Sequence, residues 1–332
     1  MRNKIFILAL FVILLLIILA VSLMFGGSMI SPREVLEGLI NPGSTNTFSA
    51  IIWKIRLPRI WLAVLVGAGL AVSGCVFQGM LRNPLADPYT LGISGGAALG
   101  ATLSIVTGAA ALTVFSMPLF AFIGAAGCFA AVYALASTKD FSNHSLILTG
   151  VIMGFVCSSA VLALIAVVNP DKIHSSIIWL TGDLSSPDSG LLKMATAILV
   201  LCMAVLAAFS RELNALTLGE EKAYNLGVEA ERTKKVIFII ASIITGTCVS
   251  MSGIIGFVGL VIPHFVRKIT GPDHRFLIPG SALCGAAFLP LCDTVARTII
   301  APVELPVGVI TGIAGGLFFL LFIINSKEEK PF

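Results

Sequence analysis

The chain has 332 residues, of which 57% are hydrophobic and only 11% are charged, with a formal net charge of +4 and a mean hydropathy of +1.03. Soluble domains carry about 25% charged residues, so this composition excludes a water-soluble globular fold and indicates that lipid is the solvent. No basic run is interleaved with aromatic residues, which argues against a nucleic-acid-binding surface.

Charge-free segments predict the membrane spans. About 20 apolar residues cross the hydrocarbon core, so we expect two spans within residues 88–138, separated near Gly108. Residues 236–266 are also too long for one span, and we expect Ser252, Gly253, Gly256 and Gly259 to interrupt them. The prediction is an all-α polytopic membrane protein of about ten transmembrane helices, two of them short or broken, in one domain over residues 1–332. The segments without Lys, Arg, Asp or Glu are 5–32, 60–81, 88–138, 141–170, 194–210, 236–266, 276–292 and 305–326.

The first apolar run, Ile5–Phe25, is longer than the apolar region of a usual signal peptide and has no clear A-x-A site after it. We therefore expect an uncleaved first span, the alternative being a cleaved signal peptide that leaves nine spans. With ten spans and the N-terminus inside, 14 of the 21 Lys and Arg residues fall on the inner side. This distribution follows the positive-inside tendency, and it predicts that both termini are cytoplasmic.

Residues 211–235 (RELNALTLGEEKAYNLGVEAERTKK), here called the polar segment, lie between two membrane-length apolar runs. They contain ten of the chain's charged residues, which comprise 21 Lys or Arg and 17 Asp or Glu. The middle of the segment, Leu218–Gly227, is predicted to form a short helix ended by glycine. Because a pore that works alone has little use for such a patch, the segment predicts a cytoplasmic surface for contact with a soluble protein.

Cations also cluster on the expected outer side, against the positive-inside tendency. Lys54, Arg56 and Arg59 precede the second span, and arginine suits the docking of an acidic partner; snorkelling to lipid headgroups is the alternative. Asp293 and Arg297 are one helical turn apart in the ninth span. They form either a self-satisfied pair or an extension of the docking surface through Arg297.

Two spans carry a glycine at every fourth residue, which lets neighbouring backbones approach closely where lipid gives no hydrophobic drive. For the last span a lined pathway is the alternative. Residues 173–184 are predicted to form an interfacial helix with Trp179 at headgroup depth. The two glycine stripes are Gly92, Gly96 and Gly100, and Gly308, Gly312 and Gly316.

No catalytic or metal-binding residues are predicted. The chain lacks G-x-x-x-x-G-K-[ST] and any complete dinucleotide fingerprint. Its seven cysteines are scattered without C-x-x-C spacing, and its four histidines fall on different sides of the membrane.

Eight motifs, in order and over essentially the whole chain, resemble the FecCD family of membrane permeases, which belong to ABC importers for iron–siderophores, haem and cobalamin. The motifs are RLPR (56–59), GAGLAVSGCVFQGMLRNPLADPYTLGISGGAALGA (67–101), LTGVIMG (148–154), LGEEKAYNLGV (218–228), SGIIGFVGLVIPHFVR (252–267), DHRFLIPGSALCGAAFL (273–289), DTVAR (293–297) and ELPVGVITGIAGGLFF (304–319).

The resemblance implies a type II ABC importer permease in a prokaryotic cytoplasmic membrane. Such a permease pairs with a second permease, with an identical one as our first choice, around a central pathway. Two cytoplasmic ATPase subunits, which use ATP and Mg²⁺, dock beneath it, and an extracytoplasmic solute-binding protein delivers the cargo. The chain itself is then no enzyme and binds no cofactor.

The motif matches imply roles for individual residues of this sequence. Arg56, Arg59 and Arg297 resemble the arginines that meet acidic residues of the binding protein. The fifth, eighth and tenth spans would line the pathway, with the segment after the fifth near its gate. The residues that resemble an ATPase-coupling helix are Leu218, Gly219, Glu220, Ala223 and Gly227.

An iron(III)–siderophore complex is the first expectation for the cargo, with haem or cobalamin as alternatives on the same machinery. A different class is an ATP-independent channel or secondary transporter, which would need intramembrane Asp, Glu or Lys on several helices. Only Asp293 is a candidate. An intramembrane enzyme would need a catalytic dyad at one depth, and none is visible.

Overall fold

The computed structural model describes residues 2–41, 47–137, 142–168, 170–185 and 187–325. Within these ranges the chain is α-helical and contains no β-strand. The helices are α1 Arg2–Met24, α2 Pro32–Ile40, α3 Thr47–Ile51, α4 Leu57–Leu81, α5 Ile93–Thr107, α6 Ser116–Ser137, α7 Asn143–Val167, α8 Pro170–Leu180, α9 Ser189–Ala208, α10 Ser210–Thr217, α11 Glu220–Asn225, α12 Ala230–Ser252, α13 Val258–Thr270, α14 His274–Thr298 and α15 Val307–Asn325.

Helices α1, α4, α5, α6, α7, α9, α12, α13, α14 and α15 correspond in order to the ten predicted spans. In the described part of the chain, seven helices are long and apolar enough to cross a membrane by length and composition. At 1.5 Å per residue, α13 and α5 are only about 20 and 22 Å long, against a hydrocarbon core of about 30 Å. The prediction of an all-α bundle with short or broken spans is therefore confirmed.

Both predicted breaks are present. Gly108 ends α5 with a φ of 82°, a left-handed conformation that glycine adopts without steric cost. Residues 253–257 separate α12 from α13. Gly259 does not interrupt the chain but lies within α13, where it permits close packing against Leu70 and Pro88. Glycine signals inside long apolar runs were sufficient to locate both positions because chain breaks are decided locally.

Helix α4 is the centre of the bundle, and most of its residues are buried against α9, α10, α12, α13 and α14. Its contacts with α13 and α14 are made through backbone. A Cβ on Gly74 would lie 1.9 Å from the carbonyl oxygen of Gly259, and a Cβ on Gly67 would lie 2.2 Å from that of Gly285. Larger residues at these positions would force the helices apart, so the glycines set the helix spacing.

One π-helical turn, Ile52–Arg56, joins α3 to α4, so that a single helix runs from Thr47 to Leu81. Pro58 lies just beyond this turn. A proline cannot donate the next ladder hydrogen bond and its ring crowds the preceding turn, and a wide π turn relieves that conflict. The helix consequently begins well before Ile60, where the charge-free run placed the start of the second span.

The segment after α7 enters the bundle. The backbone N–H of Asp183 donates to the carbonyl oxygen of Ser252 at 2.8 Å, and Trp179 is only 6% exposed. Trp179 is therefore packed inside the bundle, and its position at headgroup depth stays a prediction. Gly253 allows this packing, because the carbonyl oxygen of Trp179 lies 2.1 Å from the position that a Cβ on Gly253 would occupy.

Candidate coupling segment and buried ion cluster

The predicted site residues lie at opposite ends of the bundle. We call the end that carries α10, α11 and the turn 82–87 the α11 end. The opposite end, which carries residues 26–30 and the loop 299–306, is called the Arg59 end.

Helix α11 is short and closed by a glycine cap. Gly227 has a φ of 81°, and its N–H donates to the carbonyl oxygen of Tyr224 at 2.9 Å. The N–H of Val228 donates to the carbonyl oxygen of Ala223 at 2.9 Å. This pair of bonds is the Schellman motif, in which a left-handed glycine satisfies the last carbonyls of a helix. The prediction of a short helix ended by glycine is confirmed.

The side chains of the polar segment divide into an inner and an outward set. Ala223, one of the predicted coupling residues, is fully buried behind α11. Leu218, Tyr224 and Leu226 are 57%, 75% and 64% exposed. Exposed large apolar side chains within a polar segment are typical of a contact site for another protein, and this role of the polar segment stays a prediction. Sequence reasoning missed Tyr224 and Leu226, although apolar residues within a charged helix were the available signal.

Glu220 faces its own chain. Its Oε1 lies 2.7 Å from Nζ of Lys234, which is buried near the start of α12. A buried ammonium group without a partner is costly, so this pair holds α11 to α12. The carboxylate of Glu220 therefore contacts α12 directly, and about half of its side chain is exposed to a partner.

A buried ion cluster occupies the Arg59 end. The Nη2 atom of Arg59 lies 2.9 Å from Oδ1 of Asp293, and its Nη1 atom lies 2.7 Å from Oε2 of Glu304. On α14, Nε of Arg297 lies 3.1 Å from Oδ2 of Asp293. Buried charges persist only when paired, and the carboxylate of Asp293 serves two guanidinium groups at once. The cluster joins α4, α14 and the loop before α15.

The pairing of Asp293 with Arg297, one of the two interpretations of their spacing, is therefore confirmed. Arg56 has a different environment, since its guanidinium group donates to the carbonyl oxygens of Leu23 and Ser28.

Arg56, Arg59 and Arg297 are 3%, 7% and 4% exposed, so they do not form an open surface in this conformation. The exposed charged groups nearby are Lys54 and Glu304, whose side chain is 43% exposed. The contact of the three arginines with a binding protein stays a prediction.

The first glycine stripe packs within the chain. A Cβ on Gly96 would lie 2.4 Å from the carbonyl oxygen of Gly124, and one on Gly100 would lie 2.0 Å from that of Phe120, both in α6. Gly92 precedes α5 with a φ of 77° and faces the carbonyl oxygen of Gly150 in α7. These glycines bring α5 close to α6 and α7.

The second glycine stripe, in α15, has fewer close backbone contacts within the chain. A Cβ on Gly308 would lie 2.3 Å from the carbonyl oxygen of Thr181, whereas one on Gly312 would have no neighbour within 4 Å and one on Gly316 only a ring atom at 3.9 Å. Gly315, outside the predicted stripe, packs against Phe257 instead. The face of α15 that carries Gly312 and Gly316 is open within this chain.

An apolar cavity of ≈ 490 Å³ lies between α5, α7, the end of α8 and the break after α12. Its polar lining consists of hydroxyl groups, including those of Ser94 and Ser158, and it contains no charged side chain. The Tyr89 hydroxyl, also in the lining, accepts a hydrogen bond from the N–H of Ile255 at 3.0 Å. The fifth span, α7, thus lines this cavity together with Leu180 of α8, and the assignment of the fifth, eighth and tenth spans to a transport pathway stays a prediction.

A second cavity of ≈ 670 Å³ opens at the Arg59 end, and its charged lining residues are Lys54, Asp183 and Asp188. Among the residues that the structure describes, no three His, Cys, Asp or Glu side chains lie close enough to hold a metal ion. The seven cysteines are free thiols.

Comparisons with known proteins agree over the length of the chain. The FecCD transport family matches residues 14–325. The chain is 40% identical over 326 residues to the hemin transport system permease protein HmuU of Yersinia pestis, covering 96% of both chains. It is 35% identical over 318 residues to the Fe(3+)-citrate import system permease protein YfmE of Bacillus subtilis, covering 96% of this chain and 94% of that one.

A solved structure described as an inward-facing conformation of a metal-chelate type ABC transporter has the same fold. It matches with a TM-score of 0.85 and 31% identity, over 97% of this chain and 100% of that one. The helical bundle is thus that of an ABC transporter permease, and this chain belongs to the FecCD transport family.

Proposed function

We propose that this chain is the permease subunit of an ATP-driven importer that moves an iron(III)–siderophore complex across a prokaryotic cytoplasmic membrane. It works with a second, identical permease, two cytoplasmic ATPase subunits and an extracytoplasmic solute-binding protein. The observation that carries the proposal is the capped helix α11 at one end of a membrane bundle, where Leu218 just before it, Tyr224 within it and Leu226 at its C-cap are exposed.

In this proposal the three side chains enter an apolar groove of the ATPase. Interface energy is concentrated in a few anchors of this kind, with tyrosine enriched among them. The glycine cap and the Glu220–Lys234 pair at 2.7 Å prevent α11 from bending away from the bundle. A displacement of α11 is therefore passed to α12.

Helix α12 ends where the gate is expected. Its C-terminal residue Ser252 accepts a hydrogen bond from Asp183 after α8, and the N–H of Gly308 in α15 donates to Thr181 at 3.0 Å. Three elements thus meet through backbone atoms at the break, close to the apolar cavity. A shift of α12 moves this junction and alters the access of cargo to the pathway.

The proposed orientation places the α11 end in the cytoplasm, with both termini. The positive-inside distribution supports this assignment. The binding protein then docks at the Arg59 end, over the cavity lined by Lys54, Asp183 and Asp188. Arg59 could be reached by an acidic residue of that protein only after Glu304 moves, because Glu304 already bonds to Arg59.

The proposed cargo is a bulky metal chelate. An apolar cavity edged with hydroxyl groups binds such a chelate weakly enough to release it, and the similar permeases named above carry hemin and iron(III) citrate. A secondary transporter is disfavoured, because the cavity lining offers no acidic or basic side chain to couple cargo to an ion gradient.

The test is uptake into proteoliposomes that contain the permease, its ATPase and its binding protein. We expect uptake of iron(III) bound to a hydroxamate siderophore only when ATP is enclosed in the liposomes, on the side that carries the ATPase. Uptake of haem or cobalamin in its place would overturn the cargo assignment. Uptake without ATP would overturn the ATP-driven mechanism.

A further inference from the structure

Asn214, in α10, joins the polar segment to the N-terminus of α14. Its Nδ2 donates to Oδ1 of Asp273 at 2.8 Å. Its Oδ1 accepts from the backbone N–H of His274 at 2.9 Å and contacts Nδ1 of the same residue at 2.8 Å. Because an amide oxygen only accepts, this last contact requires the histidine tautomer with its hydrogen on Nδ1.

The residue type at position 214 is dictated by these contacts. The side chain must donate to a carboxylate on one side and accept from two N–H groups on the other, and an amide does both. The reversed amide would place its oxygen against the carboxylate of Asp273 and its NH₂ group against the N–H groups of His274, so the orientation is fixed by the network. An aspartate would face Asp273 as a second negative charge.

The partner residues are themselves immobilised. His274 is buried, and its Nε2 lies 2.5 Å from the position that a Cβ on Gly79 of α4 would occupy. Asp273 caps α14 by accepting from the N–H of Arg275 at 3.1 Å, and it also pairs with the Arg275 guanidinium at 2.7 Å. A displacement of Asn214 must therefore move the first turn of α14 as one rigid piece.

Helix α14 leads from this contact to the buried ion cluster. The distance along the helix from His274 to Asp293 is about 28 Å. Over that length α14 packs along α4, with Gly285 against Gly67. The same helix thus carries the contact with α10 at one end and the carboxylate that holds Arg59 at the other.

We infer that Asn214 is a positioning residue that transmits movement of the polar segment through His274 and α14 to the ion cluster at the Arg59 end. The inference rests on the proposed function, because the movement originates in the ATPase. It adds a second route to the one through Glu220 and α12, and it links the two faces of the membrane through a single helix.

The experiment measures movement at the Arg59 end of the assembled complex. Spin labels are placed on Ile299→Cys and Leu112→Cys, two exposed positions at that end, in a background in which native cysteines that react are replaced. Distances between the labels are recorded in reconstituted permease–ATPase complex without nucleotide and after trapping with ATP and vanadate. Assembly and ATP hydrolysis are measured on the same samples.

We expect Asn214→Asp to reduce the nucleotide-dependent distance change by about fivefold or more, because the bond from Nδ2 to the Asp273 carboxylate is replaced by repulsion between two carboxylates. Assembly and hydrolysis should stay within about twofold of the unmodified complex, since the outward face of α11 is untouched. Adding Asp273→Asn should restore the distance change, because the new amide donates to the new carboxylate. A residue needed only for folding would lose assembly and ATP hydrolysis together with the distance change.

An unchanged distance response in Asn214→Asp would overturn the inference, as would failure of the double variant to recover it. Loss of ATPase assembly in Asn214→Asp alone would also overturn it, by showing a role in docking or folding. If the unmodified permease does not assemble with an ATPase, the proposed function fails and the inference with it. That outcome is separate from a defect confined to the variant.

Discussion

Leu226 provides the most direct test of the polar segment as a docking surface. It is the C-cap of α11, where its backbone N–H bonds to the carbonyl oxygen of Lys222 at 3.1 Å, while its side chain points outward and is 64% exposed. Replacing Leu226 with alanine keeps the backbone bond and removes only the exposed side chain. We predict weaker ATPase binding with an unchanged permease fold.

The magnitude follows from the exposed area. Burial of a fully exposed leucine side chain stabilises by about 1.5–3 kcal/mol. With 64% of Leu226 exposed, docking can recover about 1–2 kcal/mol, most of which alanine forfeits. Because 1.4 kcal/mol is a factor of ten in Kd, the expected loss of affinity is about five- to thirtyfold.

The assay is equilibrium binding of the purified ATPase to permease in nanodiscs. Leu36→Ala is the matched control, since Leu36 is 60% exposed on α2 near the Arg59 end, and its Kd should not change. An unaltered Kd for Leu226→Ala would refute the docking surface. An equal loss in both variants would show a general effect of apolar truncation.

The remaining predictions concern the fold and the gate. Gly308→Ala should lower the free energy of unfolding by about 1–3 kcal/mol, because its Cβ would lie 2.3 Å from the carbonyl oxygen of Thr181 after α8. Gly312→Ala is the control and should melt like the unmodified protein, because its Cβ would have no neighbour within 4 Å; equal melting curves for the two variants would contradict the prediction. Gly253→Ala, with its Cβ 2.1 Å from a carbonyl oxygen of α8, should stop uptake while the ATPase still binds, and normal uptake would count against the gate. Hydrogen bonds from the Arg275 guanidinium hold the pKa of Asp273 well below its usual range. The ionised Asp273 therefore stabilises the fold above the unfolded-state pKa of about 3.9, and this stabilisation is lost as pH falls through the folded-state pKa. Asp273→Asn should lower the melting temperature at neutral pH by more than in strong acid, and a decrease of the same size at every pH would exclude the ionised carboxylate as the source of stability.

Local signals predicted local structure well. Gly108 and Gly253 located the breaks, and Gly227 located the end of α11, because each acts through the conformation of its own backbone or that of immediate neighbours. Period-four glycines predicted for the same reason that a neighbouring backbone approaches the face of α5 that carries Gly96, since one helix face is defined by the sequence of that helix; they did not predict that this neighbour is α6.

Long-range contacts were not predictable. Arg59 and Asp293 are 234 positions apart, and no spacing rule joins them, so Arg59 was assigned to a surface although its guanidinium group is buried. Trp179 was placed at headgroup depth from its residue type, and the inward turn of the chain after α7 to meet Gly253 was not predicted. Which face of α11 is outward also depended on packing with α10 and α12, and this is why Tyr224 was missed.

The distribution of tight and open contacts indicates where this permease can move. Backbone contacts at Gly67 and Gly74 of α4 leave no room for sliding against α14 and α13, so these helices move together. The junction formed by α8, the break after α12 and α15 is packed equally closely, with Gly253 and Gly308 against carbonyl oxygens of Trp179 and Thr181, and backbone hydrogen bonds such as Gly308 to Thr181 join its parts. The buried charges lie at one end of the rigid unit and α11 lies at the other. In the proposed function a force on α11 is therefore passed on by close-packed elements, through α12 to the junction beside the apolar cavity and through α14 to the ion cluster, because neither set of contacts leaves room to absorb it.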